Sequence, residues 1–413
     1  MHIGKSCTPP AWGLTAVGVL LLLLRRNYTL FVQPQFWAED GFVYFVDDRI
    51  LKSGALFEPY AGYLQLSCRV IAFVVGFAPP SLAPRLYDGA FVAAVALTCL
   101  LTFTSPAFKG WGRAFATLAV VGAPVSSEVF LGMCYTQWIL APVVALALYE
   151  IPESRTRACA LACVFFLVGA SSPFTLVAAP LVLWKAWSER SGFSYALLAI
   201  DVLLATFQIQ GMINRFGAEV SNVTGYSKLL VSMTVLYRWL LGHNSDVVAS
   251  TVVATLTLVA IAAYLWIYRE HAKRPALYFL GYGLALLYVG ASILNPAIDP
   301  NQWGSGARYF YLPVLMIIWT YVATEQCYER STRSFRWSAG LLLLIFGIHV
   351  ESAARRFGED NWIATTDCLE ASETACALQI NPSDLGQVQI PSDFQLEHET
   401  PVELRRYRWE SRA

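Results

Sequence analysis

Between Gln35 and Gly41 the chain reads Gln-Phe-Trp-Ala-Glu-Asp-Gly, two adjacent carboxylates behind an aromatic pair. Glu39 and Asp40 could act as a general base or as metal ligands. Asp40 could equally cap a helix that starts at Gly41. A second chemically able group is Arg308, delivered by Gly304-Ser305-Gly306 at the head of an apolar run. Its guanidinium can fork onto two phosphate oxygens, or simply reach the edge of a bilayer. Glu128, in Pro124-Val125-Ser126-Ser127-Glu128, is a candidate metal ligand, substrate contact or helix cap. Arg69 stands in an otherwise apolar stretch, where it would snorkel or meet a phosphate. Asp201 lies inside an apolar run, where a charge needs a partner or a proton. His243 and Asp246 flank a turn but are too few for a zinc site. Asp299 and Trp303 could contact a sugar.

The elements that position these residues follow from composition. Of 413 residues, 56% are hydrophobic and only 14% are charged, far fewer charges than an average soluble domain carries. That much apolar surface calls for lipid to cover it. The formal charge of zero argues against a nucleic-acid partner, because phosphate binding needs a basic surface. Most of the nine cysteines fall in apolar runs as small hydrophobes. Cys368 and Cys376 do not, and they could pair in an oxidising compartment.

Apolar runs predict spans at about 9–27, 84–104, 112–125, 137–151, 157–170, 174–187, 193–210, 246–267, 275–294, 308–323 and 337–351. The first resembles a signal peptide without a cleavage site, and so reads as an uncleaved span. One set of alternate connectors carries Lys109, Arg113, Arg155, Arg157, Lys185, Arg190, Arg269, Lys273, Arg274, Arg330, Arg333 and Arg336, and the other set is nearly free of basic residues. By the positive-inside rule the first set is cytoplasmic, with the N-terminus inside and the C-terminus outside. Arg25-Arg26 breaks the rule, and reads as an interfacial anchor or a clamp for a lipid phosphate. The scheme requires that 60–78 lie along the interface rather than cross. Residues 41–52 read likewise, with Phe42, Phe45, Val46 and Ile50 on one helical face and Asp47, Asp48 and Lys52 off it. The segment 228–242 is a third such candidate. The expected architecture is therefore an all-α polytopic membrane protein of about eleven spans. Its first outer loop covers 28–83, its membrane domain 1–351, and a polar outer segment with turns and short strands follows at 352–413.

A long first outer loop with interfacial helices, an early acidic pair, and N-in, C-out topology together resemble the GT-C superfamily of membrane glycosyltransferases. The carrying residues are Phe36-Trp37-Ala38-Glu39-Asp40-Gly41, Pro59-Tyr60-Ala61-Gly62-Tyr63-Leu64 with Arg69, Ser127-Glu128 with Gln137-Trp138, and Gly306-Ala307-Arg308-Tyr309-Phe310. They are similar to a bacterial branch of that group. The resemblance implies inverting transfer of a sugar from a polyprenyl-phosphate donor to an extracytoplasmic glycan or glycolipid acceptor at the cytoplasmic (inner) membrane. Asp40 is then the base and Glu39 its partner or substitute. Arg308 and Arg69 would hold the donor phosphate, and Glu128, Tyr63, Trp138 and Tyr309 would contact substrate. A divalent cation, Mg or Mn, could sit on Asp40 and Glu128. The chemistry agrees with this: a lipid phosphate leaves readily, so an acceptor hydroxyl mainly needs a base, and a cation steadies the departing phosphate.

Two other functions fit a chain of this kind. A glycolipid flippase or transporter would want charged residues along a path through the midplane, where Asp201 is the clear candidate. A non-catalytic assembly subunit would have no need of an acid pair beside interfacial aromatics. Carboxylates clustered on one face favour an enzyme, and a transverse chain of them favours transport.

Overall fold

In the computed structural model, residues 9–32, 34–60, 63–123, 127–216, 276–286, 308–325, 376–379 and 387–390 are described. They are mostly helical. The helices are α1 (Pro9–Arg26), α2 (Thr29–Val32), α3 (Val46–Leu51), α4 (Leu66–Val75), α5 (Ala83–Phe103), α6 (Trp111–Gly122), α7 (Thr136–Leu140), α8 (Pro142–Tyr149), α9 (Arg155–Ser171), α10 (Phe174–Glu189), α11 (Gly192–Phe216) and α12 (Arg308–Glu325). A helical segment at 276–286 packs against α12 and α8. Cys376–Gln379 pairs antiparallel with Gln387–Ile390, a short ribbon in the polar C-terminal segment.

Most boundaries track the apolar runs. Pro142 divides the run predicted over 137–151 into α7 and α8, since proline lacks the amide that would continue the ladder. Among the described residues, the stretches Pro80–Phe103 and Gly192–Ile209 are long and apolar enough to cross a bilayer. The outer faces of several helices are apolar, with Leu14 and Leu21 of α1, Leu100 of α5, Trp187 of α10, and Leu203 and Phe207 of α11 all exposed. The candidate spans at 246–267 and 337–351, the segment 228–242, and His243, Asp246, Asp299, Trp303 and Cys368 lie outside the described residues.

Polar contacts show how the helices alternate. At one end Arg157 forks onto Glu150 (2.6 and 2.9 Å) and also donates to Thr104 and to the Leu101 carbonyl. Buried Lys185 meets the Glu150 carbonyl and Glu189, both at 2.7 Å. This end thus gathers the close of α5, the close of α8, the start of α9 and the close of α10. The opposite end gathers the close of α9, where Ser171 bonds Ser67 of α4, the close of α6 and the start of α12. Of the basic connectors read from the sequence, those among the described residues (Lys109 and Arg113, Arg155 and Arg157, Lys185 and Arg190) fall at the first end, and the acidic pair falls at the second.

Three expectations about the end of the first span and the loop after it are corrected. Arg26 is neither an anchor nor a clamp: it is fully buried, donating to the Val121 carbonyl at 2.6 Å and to the Ala123 carbonyl, with its guanidinium 4.7 Å from the Phe130 ring centre. It satisfies the orphan carbonyls that close α6, where helix polarity favours a cation. Secondly, 41–52 is not a simple amphipathic surface helix. It opens as a π-turn over Asp40–Phe45, and Asp47 and Asp48 are buried. Finally, Arg69 does not snorkel. It is buried on α4 with Nη1 2.8 Å from Asp47, over the Tyr44 ring, and its Nε and Nη2 have no hydrogen-bond partner among the described residues. Burial of the ion pair explains why Asp47 turned inward: a lone buried guanidinium would be far costlier. As expected, α4 is too short to cross, about 15 Å at 1.5 Å per residue, and its outer face shows Val70, Val74 and nearby Phe77.

Candidate functional site

The acidic pair sits where the chain passes from an extended stretch into the π-turn. Ala38, just before it, has φ of 40°, a left-handed conformation that costs a residue with a side chain about 1–2 kcal/mol. Glu39 and Asp40 then follow as successive helical positions, about 100° apart around the axis, so the two carboxylates face different ways. Glu39 is half-buried, whereas Asp40 is only 1% exposed. Asp40 does not cap its own helix. Its Oδ1 accepts the Cys134 amide at 2.7 Å and its Oδ2 the Met133 amide at 3.1 Å. Burial pushes the Asp40 carboxyl up to about 8, and the Glu39 charge adds to this, while the amides of Cys134, Met133 and Trp37 pull the other way.

The cradle depends on Gly132. A Cβ there would lie 2.4 Å from Asp40 Oδ2 and 3.0 Å from Trp37 Cβ. Cys68 of α4 closes the floor, donating to the Gln137 side chain at 3.1 Å, and burial pushes its thiol up to about 12. Tyr44 hydrogen-bonds Gln65, whose own backbone is left-handed at φ 53°. Tyr63 is placed by a backbone bridge with Tyr60, and the Tyr60 ring is 6.4 Å from that of Tyr44.

Beside the pair, two distant stretches meet. Glu128 Oε1 receives Arg308 Nη1 at 2.7 Å, and Glu128 Oε2 receives the Arg308 backbone amide at 3.0 Å. Glu128 is a helix cap after all, but for α12 rather than for its own turn. Burial raises its carboxyl, against the pull of Arg308, and the charge of Glu39 is close enough to raise it further. The Arg308 guanidinium lies 5.3 Å from the Tyr309 ring and 6.0 Å from that of Tyr135. Trp138 stands edge-on to Tyr309 at 5.2 Å and to Phe174 at 4.7 Å.

Of the residues singled out from sequence, Glu39, Asp40, Glu128, Arg308, Tyr309 and Trp138 therefore share one neighbourhood. Arg69 lies beneath it, out of contact with the surface. Asp201 is buried within α11, its Oδ1 unpartnered among the described residues. As cation ligands Asp40 and Glu128 fit poorly: each oxygen of Asp40 already accepts an amide, and both oxygens of Glu128 are taken by Arg308. Sequence reading missed Gly132, the Met133–Cys134 amides, Tyr135 and Asp47. Only Gly132, a lone glycine between apolar residues, offered a signal.

No family model, curated protein or solved structure matches the chain.

Proposed function

We propose that the chain is a polytopic membrane glycosyltransferase that moves a sugar from a polyprenyl-phosphate donor to an acceptor outside the cytoplasm. The observation that carries this reading is the meeting of an acid pair, a capped arginine and edge-on aromatics at the end of the bundle opposite the basic connectors. A base and a phosphate-binding cation side by side are what transfer from a lipid phosphate needs. Apolar outer helix faces, with charges buried inside, support a lipid surround, and the segregation of connectors supports the N-in, C-out arrangement of about eleven spans.

Access divides the acid pair. The resemblance implied Asp40 as the base, but its 1% exposure and two amide bonds suit it to holding the loop. Glu39 is the carboxylate able to meet an acceptor hydroxyl. In the reaction Glu39 takes that proton as the hydroxyl oxygen attacks the anomeric carbon, and the lipid phosphate leaves against Arg308. Trp138 and Tyr309 offer ring faces and edges to the sugar.

The test is transfer of labelled sugar from purified polyprenyl-phosphate donor in nanodiscs. Glu39→Gln should cut turnover by about a hundredfold or more with normal folding. Full turnover in Glu39→Gln, with Asp40→Asn folded but inactive, would return the base to Asp40. No dependence on either carboxylate sinks the enzyme reading. A flippase is the second reading, favoured by Asp201 buried in α11; it requires that Asp201→Asn abolish lipid translocation while Glu39→Gln leaves it intact.

A further inference from the structure

Glu128 and Arg308 differ in depth. The side chain of Glu128 is 11% exposed and that of Arg308 is 33% exposed, so the carboxylate is the more deeply buried partner. Glu128 also grips two parts of the same residue, the Nη1 edge and the main-chain amide. An ion that merely neutralised the arginine would have no need of the amide. A placeholder awaiting displacement by substrate would stand in front of the arginine. With one nitrogen held by the more buried carboxylate and the guanidinium packed against two tyrosine rings, the rotamer freedom of a long side chain is largely removed before any ligand arrives.

We propose that Glu128 is a positioning residue, which fixes the head of α12 and one edge of Arg308 so that the rest of the guanidinium is presented to a phosphate oxyanion. This rests on the donor-phosphate reading above. It replaces the metal-ligand and substrate-contact roles considered from sequence with a contact that never touches substrate.

Glu128 is an anion near a phosphate site, so simple electrostatics says that removing its charge should tighten phosphate binding. Positioning says the reverse. The experiment measures binding of undecaprenyl phosphate to the full-length protein in nanodiscs, with donor KM and kcat measured where transfer is seen. Arg308→Ala, Glu128→Ala and the isosteric Glu128→Gln are compared, together with the double variant.

Glu128→Ala should weaken undecaprenyl phosphate binding by about tenfold and raise donor KM with a smaller change in kcat. Glu128→Gln keeps an acceptor for the amide or for Nη1, and should recover most of that loss. In an Arg308→Ala background Glu128→Ala should cost nothing further. Unchanged or tighter binding in Glu128→Ala overturns the proposal, as does a full additional loss in the double variant. If Arg308→Ala itself leaves binding unchanged, the donor-phosphate reading fails. If Arg308 matters and Glu128 does not, only the positioning role fails. Should Glu128→Ala not fold, Glu128→Gln decides by the same sign, with a weakening of two- to fourfold expected.

Discussion

Substituting Gly132 by alanine tests the cradle without touching a charged group. The backbone is extended there, at φ of 179°, so alanine suffers no conformational penalty and the effect is purely steric. Its Cβ would lie 2.4 Å from Asp40 Oδ2, about 1 Å inside ordinary van der Waals contact. Trp37 Cβ, at 3.0 Å, blocks escape to one side. The Asp40 carboxyl must move by about that 1 Å, which breaks its bonds to the Met133 and Cys134 amides. Each buried orphan costs about 1–3 kcal/mol, so with two of them Gly132→Ala should destabilise by about 2–6 kcal/mol. Thermal or denaturant unfolding in detergent would read this, alongside turnover. The sharper test is a cycle with Asp40→Ala, which removes the obstructing oxygen. In that background alanine at 132 should add less than about 1 kcal/mol. Additive costs, or a wild-type Gly132→Ala, would show that the carboxyl is not held as described.

Because the Asp40 carboxyl is raised from 3.8 to about 8 in the fold, the folded chain keeps a proton that the unfolded chain has lost between those values. Stability should therefore fall as pH rises from about 4 to about 8, and Asp40→Asn should flatten that slope in a melting-temperature series; an unchanged slope refutes the burial argument. Arg26→Met keeps the apolar stem but orphans the Val121 and Ala123 carbonyls, and should cost about 2–4 kcal/mol in unfolding, with no rescue by lysine; a variant as stable as the parent would disprove the capping role.

The helices were the legible part of this chain. Apolar runs placed α1, α5, α9, α10 and α12 to within two residues, and the start of α11 though not its end, which lies six residues further on at Phe216, because a helix among apolar surroundings needs a long uninterrupted apolar stretch. Ser154, whose hydroxyl accepts the Arg157 amide as the cap of α9, was not singled out from the sequence. What periodicity cannot show is which polar residue turns inward to meet another. Glu128 and Arg308 lie 180 positions apart, and nothing local to either announces the other. Asp47 read as a solvated face because its partner Arg69 lies in a different helix. The π-turn at Asp40–Phe45 also shifts the side-chain register away from the 3.6 period on which the amphipathic reading relied. Burial of Asp40 was hidden for a related reason: its partners are main-chain amides, which have no signature in sequence.

Arg26 and its acceptor Val121 are separated by 95 positions, and that interval is also a delay. At synthesis rates of roughly 5–20 residues per second, the guanidinium emerges on the order of ten seconds before the carbonyls that will hold it. Until then only solvent can satisfy it, so the C-terminal end of α1 must stay wet. Arrival of α6 releases it. α1 is thus made early and docked late, and a pause in synthesis between α5 and α6 would prolong the interval in which its arginine has no carbonyl to meet.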